Sequence, residues 1–553
     1  MTRCDTLSSK TIVRPAGFRG IFRTDDAARA VYSEGAGIAR IIPRAIAVPA
    51  DIPDVETLLR WANDTAMPLI PRGSGSGMAG GAIGDGVIVD LSRMRDISLI
   101  DSERRTISVG PGTTWQEVES AARLSGLRFP PDPSSGAFCS VGGMVSTNAS
   151  GAHSLKYGAT RNWVQAVDCI FADGTHATLR RGAPMPANVA ALDRFRQVAN
   201  GLIDAESTSP SVHARVRKDS SGYGLHAFVE SRDVVDILVG SEGTLAIVVG
   251  IELRLADAPR ATSSLLGSFP TLEAAVVAAV KARDSGAAAC ELLDRTFLDV
   301  AASAAPLPNV PTGSEAVLLA EVEADTTSAA RDLARSLAEI FRAAGATAVD
   351  IALTPGDELK MWELRHAASP ILNRLGPSLT SMQFVEDCAV PPDKLPDYVR
   401  GVRSILKSHN VTGVIFGHAG DSHIHVNPLI DVHRADWRDV VDTMLAEVVA
   451  LTAGLGGTLD GEHGDGRLRT PLLNQVWTAG TLQRFATIKQ AFDPVGILNP
   501  GVKIATANER PIGDIKYDPS LPPLPSSAAA ALKAVTDQRA YSTFRLDLLD
   551  GAA

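Results

Sequence analysis

Short apolar runs bounded by glycine and acidic residues mark the first half of the chain. The runs "GVIVDLSRM" from Gly86 and "ISLIDSERRTISVGPG" from Ile97 have the length and the flanking turn residues of strands. Between such runs, "VETLLRWAND" from Val55 and "TWQEVESAARLSG" from Thr114 carry apolar residues at helical spacing, and Gly126 ends the second. This half is predicted to be rich in strands, with helices between them.

The order of predicted elements changes between residues 264 and 353. Strand "SSLLGSF", helix "TLEAAVVAAVKARDSG" and strand "ACELLD" are followed by strand "AVLLAEVEA", helix "SAARDLARSLAEIFRAAG" and strand "TAVDIAL". This order is that of a split βαβ, ferredoxin-like unit. Further along, "WRDVVDTMLAEVVALTAG" predicts a long amphipathic helix. Its apolar stripe consists of Trp437, Val440, Val441, Met444, Leu445 and Val448.

Length, composition and charge restrict the class of protein. A chain of 553 residues should form two or more domains, and 45% hydrophobic with 21% charged residues is ordinary for a soluble protein. The net charge of -10 argues against a nucleic-acid partner and a polybasic membrane anchor. No apolar run approaches the roughly 20 residues of a membrane span. The N-terminus lacks the apolar core of a signal peptide. The scattered cysteines do not predict disulfides. We expect a reduced, cytoplasmic protein, with association at a membrane surface left open.

The glycine-rich loop "PRGSGSGMAGG" satisfies the G-x-G-x-x-G pattern at Gly75, Gly77 and Gly80. A dinucleotide fingerprint of the Rossmann type must open a helix that faces the pyrophosphate. Here the chain continues through "GGAIGDG" into the predicted strand "VIVDL", so that interpretation is disfavoured. The loop has more glycines than a tight turn requires, and its backbone N–H groups can form an anion-binding nest. Two further segments, "PPDPSSGAFCSVGGMVSTNASGAHSLKYGATRNWV" and "LVGSEGTLAIV", share this small, polar composition, which suits the wrapping of a long polar ligand.

Histidines cluster in "GHAGDSHIHVNP", and "GEHGDGR" adds a glutamate and a fourth histidine. His423 and His425 alternate, so they share one face of an extended strand. The turn signal at residues 420–421, which lies between His418 and His423, is expected to bring His418 beside them. A single histidine is usually an ordinary hydrogen-bonded residue, but this cluster with Glu462 and His463 favours a site. Two neutral imidazoles and a carboxylate suit Zn²⁺ or a similar ion, with positions left for substrate.

Together, "PRGSGSGMAGG", "PPDPSS…CSVGGMVSTNASG", "GSEGTLAIV" and the closing "FDPVGILNPGVKI" resemble the FAD-linked oxidases of the vanillyl-alcohol oxidase, or PCMH-type, fold. The resemblance is greatest to the D-lactate, glycolate and D-2-hydroxyglutarate dehydrogenase branch. It implies an α+β fold with a two-subdomain FAD-binding domain at 1–258 and a substrate and metal domain with the ferredoxin-like unit at 259–485. A segment at 486–508 would return to the FAD, and the Pro-rich tail at 509–553 resembles a linker.

The resemblance implies that the first loop holds the FAD pyrophosphate and that the other segments line the cofactor. The implied cofactor residues are Arg72, Gly73, Ser74, Gly75, Ser76, Gly77, Pro131, Asp132, Gly142, Gly143, Thr147, Asn148, Gly151, Glu242, Gly243, Ile247 and Asn499. The first loop lacks the histidine that covalently flavinylated relatives carry, so FAD is expected to bind noncovalently. Cys139 is a second conceivable attachment point, although near relatives have a cysteine there without a bond.

The resemblance also assigns roles in the histidine cluster. The implied ligands of a divalent metal, expected to be Zn²⁺, are His418, His425 and Glu462. His463 would be the base, and Asn427 would meet the substrate carboxylate. His423 departs from the family, where asparagine is commoner, and it either supports a ligand or alters the metal preference.

Arg365, in "MWELRHAASP", matches the arginine with which the family binds the substrate carboxylate. The alternative is a surface ion pair with Glu363 or Asp357. Ser369 lies one helical turn further and is expected to face the same way. Relatives specific for dicarboxylates carry a lysine where this chain has Val385, so recognition of a second carboxylate is left open.

The implied activity is FAD- and metal-dependent oxidation of a D-2-hydroxy acid to the 2-oxo acid, with His463 accepting the hydroxyl proton and flavin the hydride. One alternative is an alcohol oxidase or alkyl-transferring synthase of the same fold, although a simple alcohol offers a metal no chelating pair. A metal-dependent hydrolase without flavin and a noncatalytic subunit are the others. No C-x-x-C motif occurs, so electrons are expected to pass to a separate protein or a quinone. A homodimer is left open.

Overall fold

The computed structural model describes residues 12–303, 307, 310–372, 379–506 and 510–550, without the side chains of 366–372. The N-terminal region, residues 12–258, forms two subdomains. Its strands are β1 Ile21–Arg23, β2 Ala45–Val48, β3 Leu69–Arg72, β4 Val87–Asp90, β5 Thr106–Val109, β6 Leu127–Arg128, β7 Val164–Ile170, β8 His176–Arg180, β9 Ile247–Arg254 and β10 Ala256–Asp257. Its helices are α1 Asp26–Val31, α2 Ile52–Thr65, α3 Trp115–Arg123, α4 Val141–Thr147, α5 Ser154–Tyr157, α6 Ala190–Thr208, α7 Leu225–Ser231 and α8 Val235–Leu238.

The first subdomain is a four-stranded sheet in the order β1-β2-β4-β3, in which β2, β4 and β3 are parallel. Helix α2 starts at Asp51, whose side chain accepts a hydrogen bond from the Asp54 backbone, and ends at Ala66 in the left-handed region. Its apolar stripe packs on the sheet. As predicted, the glycine-rich loop joins two strands, β3 and β4, and opens no helix.

The second subdomain is the antiparallel sheet β5-β9-β7-β8 with α6 packed beside it. The predicted run from Ile97 is confirmed in part: Thr106–Val109 is β5, but the segment at Ile97 is not a strand. Residues around it make only isolated bridges, and its neighbour Leu99 is 94% exposed, so the run has no buried face. Helix α3 begins with a reciprocal capping box between Thr114 and Glu117.

The central region, residues 259–465, carries the ferredoxin-like unit. Its strands are β11 Ala261–Phe269, β12 Ala289–Asp294, β13 Ala316–Ala324, β14 Ala348–Ile351, β15 Thr380–Ser381, β16 Cys388–Ala389, β17 Thr412–Gly417 and β18 His423–Ile430. Its helices are α9 Leu272–Asp284, α10 Arg295–Ala302, α11 Thr327–Ala343, α12 Pro355–Leu372, α13 Leu395–Ser408 and α14 Trp437–Gly454. The sheet order β14-β11-β13-β12 confirms the predicted unit, and β17 and β18 extend the sheet beyond it.

After the central region the chain returns to the N-terminal region. Helices α15 Gly466–Arg469 and α16 Ala479–Phe492 lead to a parallel bridge between Leu498 and Leu69. Helix α16 packs on α6, with Phe485 and Phe492 fully buried in the core of the second subdomain. The domain boundary expected at residue 485 therefore falls inside α16, and the return begins earlier in the chain than residue 486.

The tail, residues 510–550, is not a linker. It forms helices α17 Ser526–Gln538 and α18 Arg545–Leu549, which pack on α1. Ala528, Ala531 and Leu546 are buried in one apolar cluster with Val31 of that helix. The Pro-, Ser- and Ala-rich composition suggested a linker, but alanines spaced along one face of a helix are sufficient to pack that face against α1. No helix in the described ranges has the length and apolar character of a bilayer span.

Candidate active site

The glycine-rich segments and the histidine cluster line one cleft between the N-terminal and central regions. The predicted residues that line it are Arg72, Gly73, Ser74, Gly75, Ser76, Gly77, Gly142, Gly143, Thr147, Gly151, Glu242, Gly243, Arg365, His418, His425, Asn427, Glu462 and His463. The cleft thus brings segments far apart in sequence to one elongated surface. Ser369 lies in α12, and its side chain falls outside the described residues.

Five predicted cofactor residues lie behind this surface. Asn499 donates from Nδ2 to the carbonyls of Gly81 (2.9 Å) and Glu242 (2.8 Å), so it joins the first and third segments. Asn148, in the left-handed region, accepts a hydrogen bond from the Arg161 backbone. The remaining three are Ile247, which is in the core of the first subdomain, and Pro131 and Asp132, which do not line the cleft.

The first loop is braced from behind by Arg72. This arginine is buried and donates to the backbone carbonyls of Glu34 (2.9 Å), Ala82 (3.3 Å) and Tyr32 (3.4 Å). Burial, with the nearby charge of Arg545, lowers the pKa of Arg72 to about 9. Gly75 has φ +74°, and a Cβ there would lie 2.3 Å from the Arg72 guanidinium, so glycine is required. The loop is held open toward the cleft, a shape that suits the diphosphate of a dinucleotide.

Two histidines aim the same ring nitrogen at one carboxylate oxygen. His418 Nε2 lies 3.0 Å and His425 Nε2 3.4 Å from Glu462 Oε1. Strand β18 carries His425, and the turn at residues 419–421 brings His418 beside it, as predicted. Tetrahedral ligands about 2.0–2.1 Å from Zn²⁺ would be roughly 3.3 Å apart, which is close to these separations.

The other ring nitrogens fix the tautomers. His418 Nδ1 lies 2.7 Å from Glu291 Oε1, and His425 Nδ1 lies 2.7 Å from the backbone carbonyl of Glu386. Burial disfavours the charge of Glu291, but His418 and Arg365 hold its pKa below its usual range. Carboxylate and carbonyl groups can only accept, so each Nδ1 carries a hydrogen, and in the neutral imidazole that a metal binds Nε2 presents the lone pair.

Glu462 is also held as an anion. Its Oε2 accepts hydrogen bonds from Lys218 Nζ (2.8 Å) and from Ser150. Although burial disfavours its charge, Lys218 and His418 hold the pKa of Glu462 well below its usual range. Burial lowers the pKa of His418, but Glu291 raises it to about 8, so without a cation its Nε2 carries a proton that it donates to Glu462 Oε1. A cation would take the place of that proton. A divalent cation fits this arrangement, because it is the species that all three atoms attract.

His463 is oriented by two carboxylates. Its Nδ1 lies 2.8 Å from Glu386 Oε2 and 3.4 Å from Asp387 Oδ1, and its Nε2 lies 3.8 Å from Glu462 Oε1. Burial lowers the pKa of His463, but Asp387 and Glu386 outweigh it and raise that pKa to about 10. A cation at Glu462 would act in the opposite direction, since like charges disfavour each other. Arg469 pairs with Glu386 and lies 3.9 Å from Asp387.

Asp387 fixes the loop that carries the ligand and the base. Its Oδ2 accepts backbone hydrogen bonds from Gly461, Glu462 and His463 (3.0–3.2 Å). Its Oδ1 lies 2.8 Å from Nε2 of His423, which is fully buried. Burial lowers the pKa of His423 to about 4, so this histidine is neutral and donates from Nε2. His423 therefore helps to hold Asp387 in place.

Arg365 does not form the surface ion pair that was the alternative. It is 6% exposed, and its Nε donates to Glu291 Oε2 at 2.7 Å. Its guanidinium lies 5.1 Å from the centre of the Phe416 ring. Asn427 lines the same part of the cleft from β18. One carboxylate, Glu291, thus holds both Arg365 and His418.

The comparisons with known proteins agree with this architecture. Residues 258–502 match the family described as FAD linked oxidases, C-terminal domain, and residues 43–180 match the FAD binding domain family. The chain belongs to the FAD-linked oxidases. It is an FAD-dependent oxidoreductase.

Curated relatives align with most of the length of this chain. The glycolate oxidase subunit GlcD of Bacillus subtilis is 29% identical over 489 residues, covering 88% of this chain and 94% of its own. The D-lactate dehydrogenase of Archaeoglobus fulgidus is 29% identical over 469 residues, covering 83% and 92%. The D-2-hydroxyglutarate dehydrogenase of Pseudomonas putida is 30% identical over 538 residues, which are 89% of this chain but 51% of that protein. The chain spans about half the length of that relative.

Solved structures confirm the fold. An alkyldihydroxyacetonephosphate synthase aligns with a TM-score of 0.60 at 17% identity, covering 87% of this chain and 82% of the other. The 4-ethylphenol oxidase from Gulosibacter chungangensis aligns with a TM-score of 0.61 at 16% identity, covering 87% and 94%. The predicted α+β, PCMH-type architecture is therefore confirmed, and at this identity the likeness shows the fold alone.

Several residues of the site were absent from the sequence prediction. The acids Glu291, Glu386 and Asp387 orient the histidines, and Lys218 with Ser150 holds Glu462. One signal was available for Glu291, a charged residue inside the apolar strand "ACELLD". Glu386 and Asp387 adjoin Val385, so they lay in a quoted segment but were assigned no role. Lys218 carries no local signal.

Proposed function

We propose that the chain oxidises a D-2-hydroxy acid of the D-lactate, glycolate and D-2-hydroxyglutarate class to the 2-oxo acid, with a divalent metal, Zn²⁺ in the first instance, held by His418, His425 and Glu462. The observation that carries the proposal is the pair of imidazole nitrogens that lie 3.0 and 3.4 Å from one carboxylate oxygen, next to an arginine and at one end of the FAD-family cleft. A 2-hydroxy acid offers a metal two oxygens, its carboxylate and its hydroxyl, and so suits this set.

The bound groups would supply what the chain cannot. When bound, flavin would supply the hydride acceptor, and the metal would supply a Lewis acid toward the hydroxyl and carboxylate oxygens. The chain itself binds and orients the substrate, through Arg365 and Asn427 at its carboxylate. His463, whose Nδ1 is held by Glu386 and Asp387, accepts the hydroxyl proton at Nε2.

The lining of the site favours a small monocarboxylate over a dicarboxylate. Val385, where dicarboxylate-specific relatives carry a lysine, is buried in the hydrophobic core of the central region. Among described residues lining this end of the cleft, Arg365 is the one arginine or lysine. We therefore infer that D-lactate or glycolate is oxidised in preference to D-2-hydroxyglutarate. Equal kcat/KM for D-lactate and D-2-hydroxyglutarate would contradict this inference.

We further infer that the electrons leave to a separate protein or a quinone. The cysteines of the described ranges are buried and scattered, and they form no cluster that could hold iron and sulfur. Turnover with an artificial acceptor should then far exceed peroxide formation in air. Peroxide formation at the same rate would show that oxygen is the acceptor.

The decisive experiment separates metal binding from proton transfer. His418→Ala and His425→Ala are expected to lose metal and activity together. His463→Ala is expected to keep metal and FAD but to slow flavin reduction by about 10²–10⁴-fold in anaerobic single turnover. The matched control is His433→Ala, which removes an exposed histidine.

Two outcomes would overturn the proposal. In the first, His463→Ala loses the metal while His418→Ala keeps both metal and activity. In the second, exhaustive chelation leaves flavin reduction by D-2-hydroxy acids unchanged. Metal content is measured on the purified protein by elemental analysis, so it is independent of turnover.

A further inference from the structure

The tail is attached to the wall of the cofactor cleft by backbone pairing. Ile515 forms an antiparallel bridge with Ala39, and the Lys516 backbone donates to the Ile38 carbonyl at 2.9 Å. The Ile512 carbonyl accepts a hydrogen bond from Arg438 of α14, in the central region. The tail therefore joins both sides of the cleft. It lies beyond residue 502, where the family match ends.

Side chains of the tail line the cleft beside the glycine-rich loop. The lining tail residues are Lys516, Tyr517, Thr536, Arg539 and Tyr541. Lys516 Nζ donates to the carbonyls of Gly35 (3.2 Å) and Ala36 (3.3 Å), and the Ala36 backbone donates to Gly75 of the loop (3.0 Å). Lys516 is thus linked to the loop through Ala36, which bonds to both.

Arg539 and Tyr541 meet the second cofactor segment at Phe138. The Arg539 guanidinium lies 4.7 Å from the centre of the Phe138 ring, and the Tyr541 ring centre lies 5.3 Å from it. Two residues on, Ser140 contacts the glycine-rich loop so closely that a Cβ at Gly73 would lie 2.0 Å from its Oγ. The tail therefore contacts the second segment directly at Phe138, and it reaches the glycine-rich loop through residues 35 and 36.

This end of the cleft is positive. Among described residues that line the cleft, the carboxylates are Glu242, Glu386 and Glu462. The last two belong to the histidine cluster, and Glu242 lies 3.1 Å from Lys503. Lys516 and Arg539 thus line this end of the cleft, and no lining carboxylate among the described residues is paired with either of them. A diphosphate is the anion that such a cradle of backbone N–H groups and cations suits.

A buried arginine of the tail adds to this positive potential. Arg545 is 3% exposed, and its Nε and Nη1 have no hydrogen-bond partner among the described residues. Of the acidic residues near it, Glu34 is paired with Arg40 and Asp90 accepts a hydrogen bond from the Tyr32 hydroxyl, and neither accepts one from Nε or Nη1 of Arg545. A buried guanidinium without full partners is costly unless a nearby anion compensates for it.

We propose that the tail is part of the cofactor site and retains FAD by its adenosine diphosphate half, with Lys516 and Arg539 serving the diphosphate and Tyr541 packing beside it. The proposal rests on the FAD binding that the family match shows, and not on the proposed substrate or metal. It assigns binding residues to a segment outside the matched family domains.

The test compares variants of the holoprotein by FAD retention, without substrate. Arg539→Ala and Tyr541→Ala are compared with the control Lys533→Ala, which removes a charge on the exposed face of α17, where the side chain is 74% exposed. FAD release after dilution is followed by the fluorescence of free flavin. We expect release to be at least about 10-fold faster in Arg539→Ala, the loss typical of a charge-assisted contact, and unchanged in the control.

ADP serves as a second probe, because it contains the adenosine diphosphate half alone. Its affinity for the apoprotein should fall in Arg539→Ala and recover in Arg539→Lys, which restores the charge. Equal FAD release and equal ADP affinity in Arg539→Ala, Tyr541→Ala and Lys533→Ala would overturn the proposal. Circular dichroism and the Tm of each apoprotein identify a variant that fails to fold. If Arg539→Ala does not fold, Arg539→Gln, which removes the charge and keeps most of the side chain, takes its place. Failure of the substrate proposal would leave all of these measurements unaffected.

Discussion

Glu291 is the single carboxylate between the proposed metal ligand and the proposed substrate arginine. Its Oε1 lies 2.7 Å from His418 Nδ1, and its Oε2 accepts from Arg365 Nε, also at 2.7 Å. The side chain is fully buried, so Glu291→Gln keeps the shape and removes the negative charge. Both contacts are weakened by one substitution. The variant should therefore bind metal and substrate less tightly at the same time.

The magnitude follows from the two contacts. Loss of the residue that orients a metal-bound histidine typically lowers metal affinity by about 10–100-fold. A hydrogen bond to a charged group contributes about 1.5–3 kcal/mol, so weakening the Arg365 contact should raise KM by roughly 10–100-fold. Stability should fall less than in Glu291→Ala, because breaking a buried pair outright costs about 3–5 kcal/mol.

The assay is a metal-competition titration of the apoprotein, followed by KM for D-lactate at saturating metal. Glu321→Gln is the matched control, since Glu321 is buried in the adjoining strand and binds His153 (2.9 Å) instead of a metal ligand. We expect the control to keep both metal affinity and KM. If Glu291→Gln binds metal and substrate as wild type does, the structural reasoning about His418 and Arg365 is wrong.

Three further predictions follow from the structure. Acid precipitation should release all FAD, and Cys139→Ser should release it equally, because burial raises the pKa of the Cys139 thiol to about 11; flavin in the pellet would contradict this. His423→Asn should keep metal and turnover, and loss of metal would contradict this expectation. Glu323 binds Arg128 and Lys156 across the two regions. Burial opposes this effect, but Lys156 lowers the pKa of Glu323, so its stabilisation is present above about pH 4.3 and lost as the pH falls further. Glu323→Gln should therefore flatten the fall of Tm on acidification, and an unchanged pH profile would refute the assignment.

Periodicity was sufficient to predict the ferredoxin-like unit, because each of its elements buries an apolar face of its own. The stripe from Trp437 was likewise visible, and the structure buries it in α14. The run at Ile97 shows the opposite case, since an apolar run becomes a strand only where a partner strand and a core are available. The tail was missed because its prolines suggested a linker, although Ala528, Ala531 and Val535 already had helical spacing.

The sequence predicted only those parts of the candidate site whose residues lie close together along the chain. His418, His423 and His425 lie on one turn and one strand, so their proximity could be inferred from spacing. Their partners come from elsewhere in the chain. Glu291 precedes His418 by 127 positions, Glu386 precedes His463 by 77, and Lys218 precedes Glu462 by 244. Such pairings depend on the tertiary fold, which no local pattern encodes.

The position of Glu462 has a consequence for how the two regions work together. Its Oε1 faces two histidines of the central region, while its Oε2 is bound by Lys218 and Ser150 of the N-terminal region. Any cation bound at Oε1 is therefore positioned by both regions. Ser150 adjoins Gly151, which lines the cleft of the FAD-binding segments. A shift of one region against the other would change the distance between the proposed metal ligands and the cofactor wall, and the bond from Lys218 to Glu462 opposes such a shift.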